Sequence, residues 1–359
     1  MKNTIGNSVS LSLFGESHGQ AIGAVLDGFA PGVSVDLEFI KKQMQMRHSL
    51  ASVSTGRIEP DEVNIVSGVF DGKTTGTPIT LVIENKDKKS ADYSSFSQLA
   101  RPGHADMTAY AKYHGYADYR GGGHFSGRLT APIVAAGAIA ISALAKKGIY
   151  IATHILECAG VRDRDFADLK EDISSLNEMP FAVLDESAKQ KMLTAIESAK
   201  KEGDSVGGVL ESVVLGMPAG VGEPWFDTLE GMLSHALFSI PAVKGVEFGD
   251  GFALAKMKGS EANDPITPSG TKTNRNGGIL GGISNGMPIL LRCAIKPTPS
   301  IAKEQETVNM MTNESEKIIV KGRHDPAIVH RARVVADSVV ALVLCDALAL
   351  RFGTDYLAK

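Results

Sequence analysis

Five short stretches gather the residue types that move protons and hold anions. Phe14-Gly15-Glu16-Ser17-His18-Gly19 sets a serine and a histidine between glycines. An imidazole titrates near neutral pH, so this is a proton-transfer site or a polar turn between strands. Arg101-Pro102-Gly103-His104-Ala105-Asp106 puts a forked cation for phosphate or carboxylate three residues from a second imidazole. The alternative there is a loop arginine paired with Asp106. Tyr119-Arg120-Gly121-Gly122-Gly123-His124-Phe125-Ser126-Gly127-Arg128 leads into an alanine-rich segment. Bare backbone N–H groups at a helix start cradle an anion, and a structural glycine turn is the other reading. The stretch has neither a Walker sequence nor a dinucleotide Gly-x-Gly-x-x-Gly. Residues 276–286 are nearly devoid of side chains, so a flat ring or a phosphate can lie against their backbone. Lys296-Pro297-Thr298-Pro299-Ser300 then adds a charge and two hydroxyls; close strand packing before a stiffened loop is the alternative. Lys321-Gly322-Arg323-His324-Asp325-Pro326 supplies another guanidinium and a carboxylate that also suits a helix N-cap. His48, His114, His154, His235 and His330 lack motifs of their own and read as structural or surface residues. No spacing of His, Cys, Asp and Glu makes a metal site, and no Gly-x-Ser-x-Gly elbow places a hydrolase serine.

Helices and strands must hold these loops. Asp36 caps a helix over 37–46, and Asp185 caps one over 186–202 that stops at Gly203. A third helix, 131–147, ends at Gly148, and Asp325-Pro326 opens a fourth over 327–351. The third and fourth are apolar nearly all round, which places them inside the protein. Strand-like runs surround them at 23–27, 64–69, 79–84, 206–215 and 289–295. The expected fold is α+β, with central helices sandwiched between antiparallel sheets. No linker divides the chain, so residues 1–359 read as one domain. A faint echo suggests two pseudo-repeat halves: the run from Ile22 and Pro31-Gly32-Val33 recur as the run from Val206 and Pro218-Ala219-Gly220-Val221. Gly76-Thr77-Pro78-Ile79 likewise recurs as Gly286-Met287-Pro288-Ile289.

Composition narrows the functions. A net charge of −4 gives no global basic field for nucleic acid, so an anionic ligand needs a local cluster of cations. Cys158, Cys293 and Cys345 are odd in number and far apart, as expected of reduced thiols in a cytoplasmic protein. The first residues carry no apolar run suited to a signal peptide, and the apolar stretches 131–145 and 334–350 are short or broken by Asp337 and Asp346. Neither is expected to span a membrane.

Taken in order, the motifs resemble those of chorismate synthases. The set is Phe14 to Gly19; Ser67-Gly68-Val69-Phe70-Asp71-Gly72 with Thr75-Gly76-Thr77-Pro78-Ile79; Arg101 to Asp106; and Asp118-Tyr119-Arg120 with its glycines. It continues with Val243-Lys244-Gly245-Val246-Glu247-Phe248-Gly249-Asp250-Gly251, Gly277-Gly278-Ile279-Leu280-Gly281-Gly282-Ile283-Ser284 and Gly322-Arg323-His324-Asp325-Pro326. The resemblance implies an anti-1,4-elimination of phosphate from 5-enolpyruvylshikimate 3-phosphate to give chorismate, the last common step toward the aromatic amino acids. It implies reduced FMN without net redox change, NADPH or a separate flavin reductase as the source of electrons, and a homotetramer. By the same resemblance, His18 protonates the leaving phosphate, His104 stands by the flavin and Asp325 assists proton removal, with Ser17 and Ser126 in the relays. His124, Phe125, Ser126, Pro241, Ala242, Gly281, Lys296, Pro297, Thr298, Pro299, Ser300 and Arg323 fall on flavin-contact segments. Arg47, Arg101, Arg128 and Arg323 fall on substrate-anion positions.

The chain departs from the family pattern where a run of three arginines is usual. Gln45-Met46-Arg47-His48 keeps only Arg47, and Ser52 stands where a further arginine is common. His124 replaces an arginine and Leu129 a glutamate. His48 and Arg57 are candidates to compensate. These changes keep three alternatives open: a divergent flavin-dependent paralogue acting on another phosphorylated substrate, a flavin oxidoreductase, and a non-catalytic phosphate or flavin binder.

Overall fold

Two helices, Thr130–Lys146 and Val329–Phe352, form the middle of the molecule in a computed structural model that describes residues 2–48, 50, 61–86, 98–320 and 324–358. Ser52, Arg57 and Arg323 lie outside the described residues. Both helices are buried on nearly every face, as sequences without a polar stripe require. Their close approach depends on Gly137, where a Cβ would overlap Ser338 of the partner helix. The helical stretch Arg120–Lys146, which ends in the first of these helices, is long and apolar enough to pass for a membrane span, yet most of it is buried inside the fold.

A five-stranded antiparallel sheet covers each side of this helical layer, and one apolar core runs through all three layers. The first sheet has the order Thr4–Ile5, Ser10–Gly15, Ala21–Asp27, Ile79–Glu84, Asn64–Ser67. The second has the order Val161–Arg162, Tyr150–Cys158, Gly208–Leu215, Ile289–Ile295, Val243–Phe248. Ile79, Leu81 and Ile83 alternate inward with no exposure, the period of two that a half-covered strand needs. This is an α+β sandwich with central helices.

Most local signals fold as their chemistry dictates. Asp36 accepts from the Phe39 N–H at 2.9 Å and starts helix Leu37–Met46. Asp185 accepts from the Ala188 N–H at 2.7 Å and starts helix Glu186–Lys201. The last helix corrects the expectation. It begins at Val329, the residue before it is Ile328, and no side chain caps it. Asp325 instead pairs with Arg331, one turn inside the helix, at 2.5 Å. A permanent cation within reach offers this carboxylate more than a neutral N–H does. Strand Gly208–Leu215 also begins later than 206. Ile22 pairs with Ile83 and Leu210 with Cys293, each partner four residues beyond a Gly-x-Pro-Ile isoleucine. Ile22 therefore stands level with Leu210, not with Val206. The three cysteines are free and buried, and burial pushes the Cys158 and Cys293 thiols up to about 12.

Candidate active site

Strand ends and helix starts build the site. Strand Ser10–Gly15 runs into the turn that carries Ser17 and His18, while strand Ile79–Glu84 ends beside that turn. There the Asn85 N–H donates to Gln20 O at 3.1 Å. The glycine-rich segment ahead of helix Thr130–Lys146 lies across the same turn. Gly121 has φ 60, and a Cβ there would overlap the His18 imidazole and reach Ser17 Oγ at 2.9 Å. Only glycine fits both demands. The Ser17 N–H donates to Gly123 O at 3.1 Å. His124 Nδ1 lies 2.8 Å from Gly15 O, which assigns the proton to Nδ1 because a carbonyl only accepts. His18 is 5% exposed, so its ring is enclosed by these two loops.

A line of charged groups runs from this turn to Asp325. Asn85 Nδ2 donates to Glu16 O at 3.0 Å and to Gly19 O at 3.1 Å. Its Oδ1 accepts from Arg128 Nε at 2.6 Å. Arg128 also donates to Asp61 Oδ1 at 2.7 Å, and Arg47 donates to Asp61 Oδ2 at 2.6 Å. Arg331 Nε donates to Arg47 O at 3.0 Å, and its other end pairs with Asp325. Among the described residues this line links the guanidiniums of Arg47, Arg128 and Arg331 to the carboxylates of Asp61 and Asp325, with Arg47, Arg128 and Asp61 largely buried. Burial alone would raise the Asp61 carboxyl, but Arg47 and Arg128 overcome it and hold it below the usual carboxylate range. Burial lowers the Arg47 guanidinium.

A second group forms around His104. Arg101 grips Asp106 with two bonds, Nε at 2.7 Å and Nη2 at 2.8 Å, so the pairing read as the alternative for this arginine is present. His104 Nε2 shares a hydrogen bond of 2.7 Å with Ser300 Oγ. Lys296 Nζ donates to Gly103 O at 2.6 Å, and Pro299 packs on Gly103. Burial, then the Arg101 charge, pushes the His104 imidazole down to about 4 against the pull of Asp106. Lys296 and His324 push the same way. His104 is therefore neutral at pH 7. The two groups meet at the glycines: a Cβ at Gly122 would lie 3.8 Å from Ser126 Cβ and 4.0 Å from Arg101 Nη2.

The remaining sequence candidates divide. Ser126 Oγ accepts from the Arg128 N–H at 3.3 Å. Phe125 is 44% exposed and stands edge-on to Tyr113. Ala242, beside Pro241, accepts from the Lys296 N–H at 2.9 Å, which ties that pair to 296–300. Thr298 O accepts from Ser205 Oγ at 2.6 Å. Gly281 is not brought to the site within one protomer. It sits at the tip of hairpin Ile279–Leu280 with Ile283–Ser284, at the opposite end of strand Ile289–Ile295 from Lys296. That is roughly 20 Å at ~3.3 Å per residue. Asp61, Asn85 and Arg331 were not among the sequence candidates. Asp61 and Asn85 find their partners 14 to 69 residues away, and Arg331, six residues from Asp325, also reaches Arg47 O 284 residues away, so no local motif announces them. A mainly apolar cavity of about 520 Å³ touches His124 from the other side, between strand Ser10–Gly15 and the helices Leu229–Leu237 and Val329–Phe352.

Comparisons with known proteins point one way. A family model described as chorismate synthase matches residues 9–349. The chain is 49% identical over 350 residues to a chorismate synthase of Pyrococcus abyssi, covering 96% of this chain and 97% of the relative. It is 46% identical over 347 residues to one of Korarchaeum cryptofilum, covering 95% and 96%. A crystal structure of a chorismate synthase superposes with a TM-score of 0.76 at 28% identity, over 98% of this chain and 94% of that one.

Proposed function

The chain belongs to the chorismate synthase family of carbon–oxygen lyases, and from that premise we propose how its own residues perform the reaction. The reaction removes phosphate from 5-enolpyruvylshikimate 3-phosphate by anti-1,4-elimination and leaves chorismate. The observation that carries the assignment to this site is the enclosed His18 beside a line of guanidiniums anchored by Asp61 and Asp325. A departing phosphate needs a proton and charge neutralisation, and these groups supply both. His18 gives the proton, with Ser17 beside it. Arg47, Arg101 and Arg128 supply positive charge, each already held in place by a carboxylate. Prior pairing lowers the cost of ordering them around substrate.

The residues fit a flat anionic cofactor. The space by Gly122, between Ser126 and Arg101, is not filled by any side chain nearer than 3.8 Å, and Gly127 has no neighbour within 4 Å of a Cβ. Lys296, Ser300 and neutral His104 stand together next to this opening. His124 to Ser126, Pro241-Ala242 and Lys296 to Ser300 would hold reduced FMN. Arg323 is assigned the same role by family pattern. Reduced FMN, when bound, supplies transient electron donation to the allylic system, which no side chain provides. A neutral His104 donates or accepts one hydrogen bond there without adding charge, and Asp325, fixed by Arg331, takes a proton. NADPH or a separate reductase supplies the electrons from outside.

The assembly belongs to the same proposal. A homotetramer is supported by large apolar groups left exposed, among them Phe14, Phe70, Trp225 and Phe226. The buried thiols agree with a cytoplasmic location. We also read the chain as one domain of two related halves.

An anaerobic assay with photoreduced FMN tests the function. Phosphate release should fall about 10²–10³-fold in His18→Ala and His104→Ala. The flavin should end each turnover reduced. Flavin left oxidised in proportion to product would instead favour a flavin oxidoreductase, and absence of phosphate release from the wild type would overturn the reading.

A further inference from the structure

We propose that Asn85 is a positioning residue, clasping the turn that carries His18 onto Arg128 so that the imidazole and the anion-binding charge are placed by one side chain. The proposal rests on the reading of His18 as the proton donor to the leaving phosphate. Asn85 is 7% exposed, and each of its polar atoms is used. The two protons of Nδ2 go to Glu16 O at 3.0 Å and Gly19 O at 3.1 Å, the two carbonyls that flank Ser17 and His18. Oδ1 takes the Arg128 Nε proton at 2.6 Å. The orientation of the amide follows from its partners, because two carbonyls need donors and a guanidinium needs an acceptor. Asn85 sits at the end of strand Ile79–Glu84, and its own N–H donates to Gln20 O at 3.1 Å. A rigid strand end thus holds both sides of the turn. Asn85 does not reach the reaction itself.

Asparagine is the residue that meets this demand. Aspartate has the same shape and keeps an acceptor for Arg128, but it turns an oxygen toward Glu16 O and Gly19 O. Glutamine is one methylene longer and cannot place its amide on the same three partners from the same strand end. Alanine removes the clasp and the Arg128 acceptor together. Misplacement of a reacting group by about 1 Å costs about 10²-fold in rate. In Asn85→Asp, where Arg128 keeps its acceptor, the loss should therefore fall on kcat, while KM changes little.

The test compares Asn85→Asp, Asn85→Ala and His18→Ala in the anaerobic phosphate-release assay, with rates per folded enzyme from circular dichroism and the pH profile of kcat. The expected result is a kcat loss of about 10²-fold in Asn85→Asp, with KM within about threefold and the acid limb of the profile displaced. A role in stability alone would lower the folded fraction and leave KM, kcat per folded enzyme and the profile as in the wild type, which overturns the proposal. Wild-type kcat in Asn85→Asp with a loss confined to Asn85→Ala also overturns it, because the Arg128 contact alone would then matter. If Asn85→Ala does not fold, Asn85→Asp decides. Full activity in His18→Ala would sink the reading of the site itself, and that outcome is distinct from an inert Asn85→Asp.

Discussion

The two sheets share a plan and differ in what they do with it. In each, four strands follow the same order in sequence and in space: Ser10–Gly15, Ala21–Asp27, Asn64–Ser67 and Ile79–Glu84 against Tyr150–Cys158, Gly208–Leu215, Val243–Phe248 and Ile289–Ile295. One cross-strand row shows the difference. In the first sheet it reads Phe14, Gly23, Val82, Asn64. In the second it reads His154, Glu211, Arg292, Glu247. The first row carries no charge and is partly open, with Phe14 38% exposed and the amide of Asn64 exposed at its edge. The second is a line of charges beneath Phe166 and the segment that follows it. The turns differ in the same sense. After Ser10–Gly15 the chain makes a wide turn that carries His18, whereas after Tyr150–Cys158 it reverses within Ala159-Gly160. The first sheet keeps its ionic groups at the strand ends, where a ligand can use them. The second buries its own in the sheet, where they can only hold the fold. Charge inside a protein therefore does not mark function until its reach is known.

Removing the charge at the centre of each line is the sharpest way to break this comparison. Asp61 is buried and pairs with two guanidiniums, so Asp61→Ala removes a carboxylate that both share. We expect a loss of about 3–5 kcal/mol in unfolding free energy, read by urea titration. Phosphate release should fall with it, because Arg47 and Arg128 lose their positions. An Asp61→Ala protein with wild-type kcat would show that the first line is structural like the second.

Glu211→Gln is the matched change in the second sheet. Glu211 accepts from Arg292 at 2.7 Å and faces His154 at 3.0 Å. Arg292 keeps Gly249 O at 2.9 Å and Glu247 at 3.3 Å, and His154 keeps Asp163 at 2.8 Å. The cost should be smaller, about 2–3 kcal/mol, with kcat and KM unchanged. The pH dependence sharpens the contrast. Burial alone would lower the His154 imidazole, but the bonds to Asp163 and Glu211 raise it above 6.5. This contribution to stability is complete below 6.5 and is lost as pH rises through the folded-state value. Asp163 and Glu211 are held low, so theirs is lost only as pH falls through their depressed values. Urea titrations at about pH 6 and about pH 9 should show a fall in wild-type stability that shrinks in Glu211→Gln.

His104 works in the opposite sense. Its imidazole is pushed down to about 4, so the folded protein resists protonation where the unfolded chain accepts it. Stability should fall as pH drops from about 6.5 to about 4 and then level off, and His104→Gln should remove that part of the slope. The change reports on the site in the first comparison, not on the second sheet.

These differences explain what the sequence made legible. Asp36 and Asp185 cap helices through atoms three residues away, and local spacing is enough to see that. Ile79, Leu81 and Ile83 announce a half-covered strand by alternation. The loops around His18 and His104 stood out because glycines and imidazoles crowd together in them. Asn85 and Asp61 did not, because each is a single polar residue whose partners arrive only with the fold. Asp325 looked like a helix cap by local rule, and Arg331 outbid the backbone for it. The charged row of the second sheet was equally hidden, since His154, Glu211, Arg292 and Glu247 come from four separate strands.

The smallest prediction concerns a place where the two sheets should agree. Ahead of the strand start, Thr74 Oγ1 accepts from the Val33 N–H at 2.9 Å and donates to Ala30 O at 2.5 Å. Ser284 Oγ accepts from the Val221 N–H at 3.0 Å and donates to Pro218 O at 2.6 Å. Both hydroxyls are buried and do the same work on a Pro-Gly-Val or Pro-Ala-Gly-Val turn. Neither lies at the strand ends that carry the site. Thr74→Val and Ser284→Ala each remove a donor and an acceptor and leave a buried N–H and a carbonyl, buried at Ala30 and half-buried at Pro218, short of a partner. Each should cost about 1–3 kcal/mol in urea titration, with the two values within about 1 kcal/mol and kcat unaltered in both. A loss in one with none in the other would show that the shared hydrogen bonds are a coincidence of two turns, and the correspondence of the sheets would then rest on strand order alone.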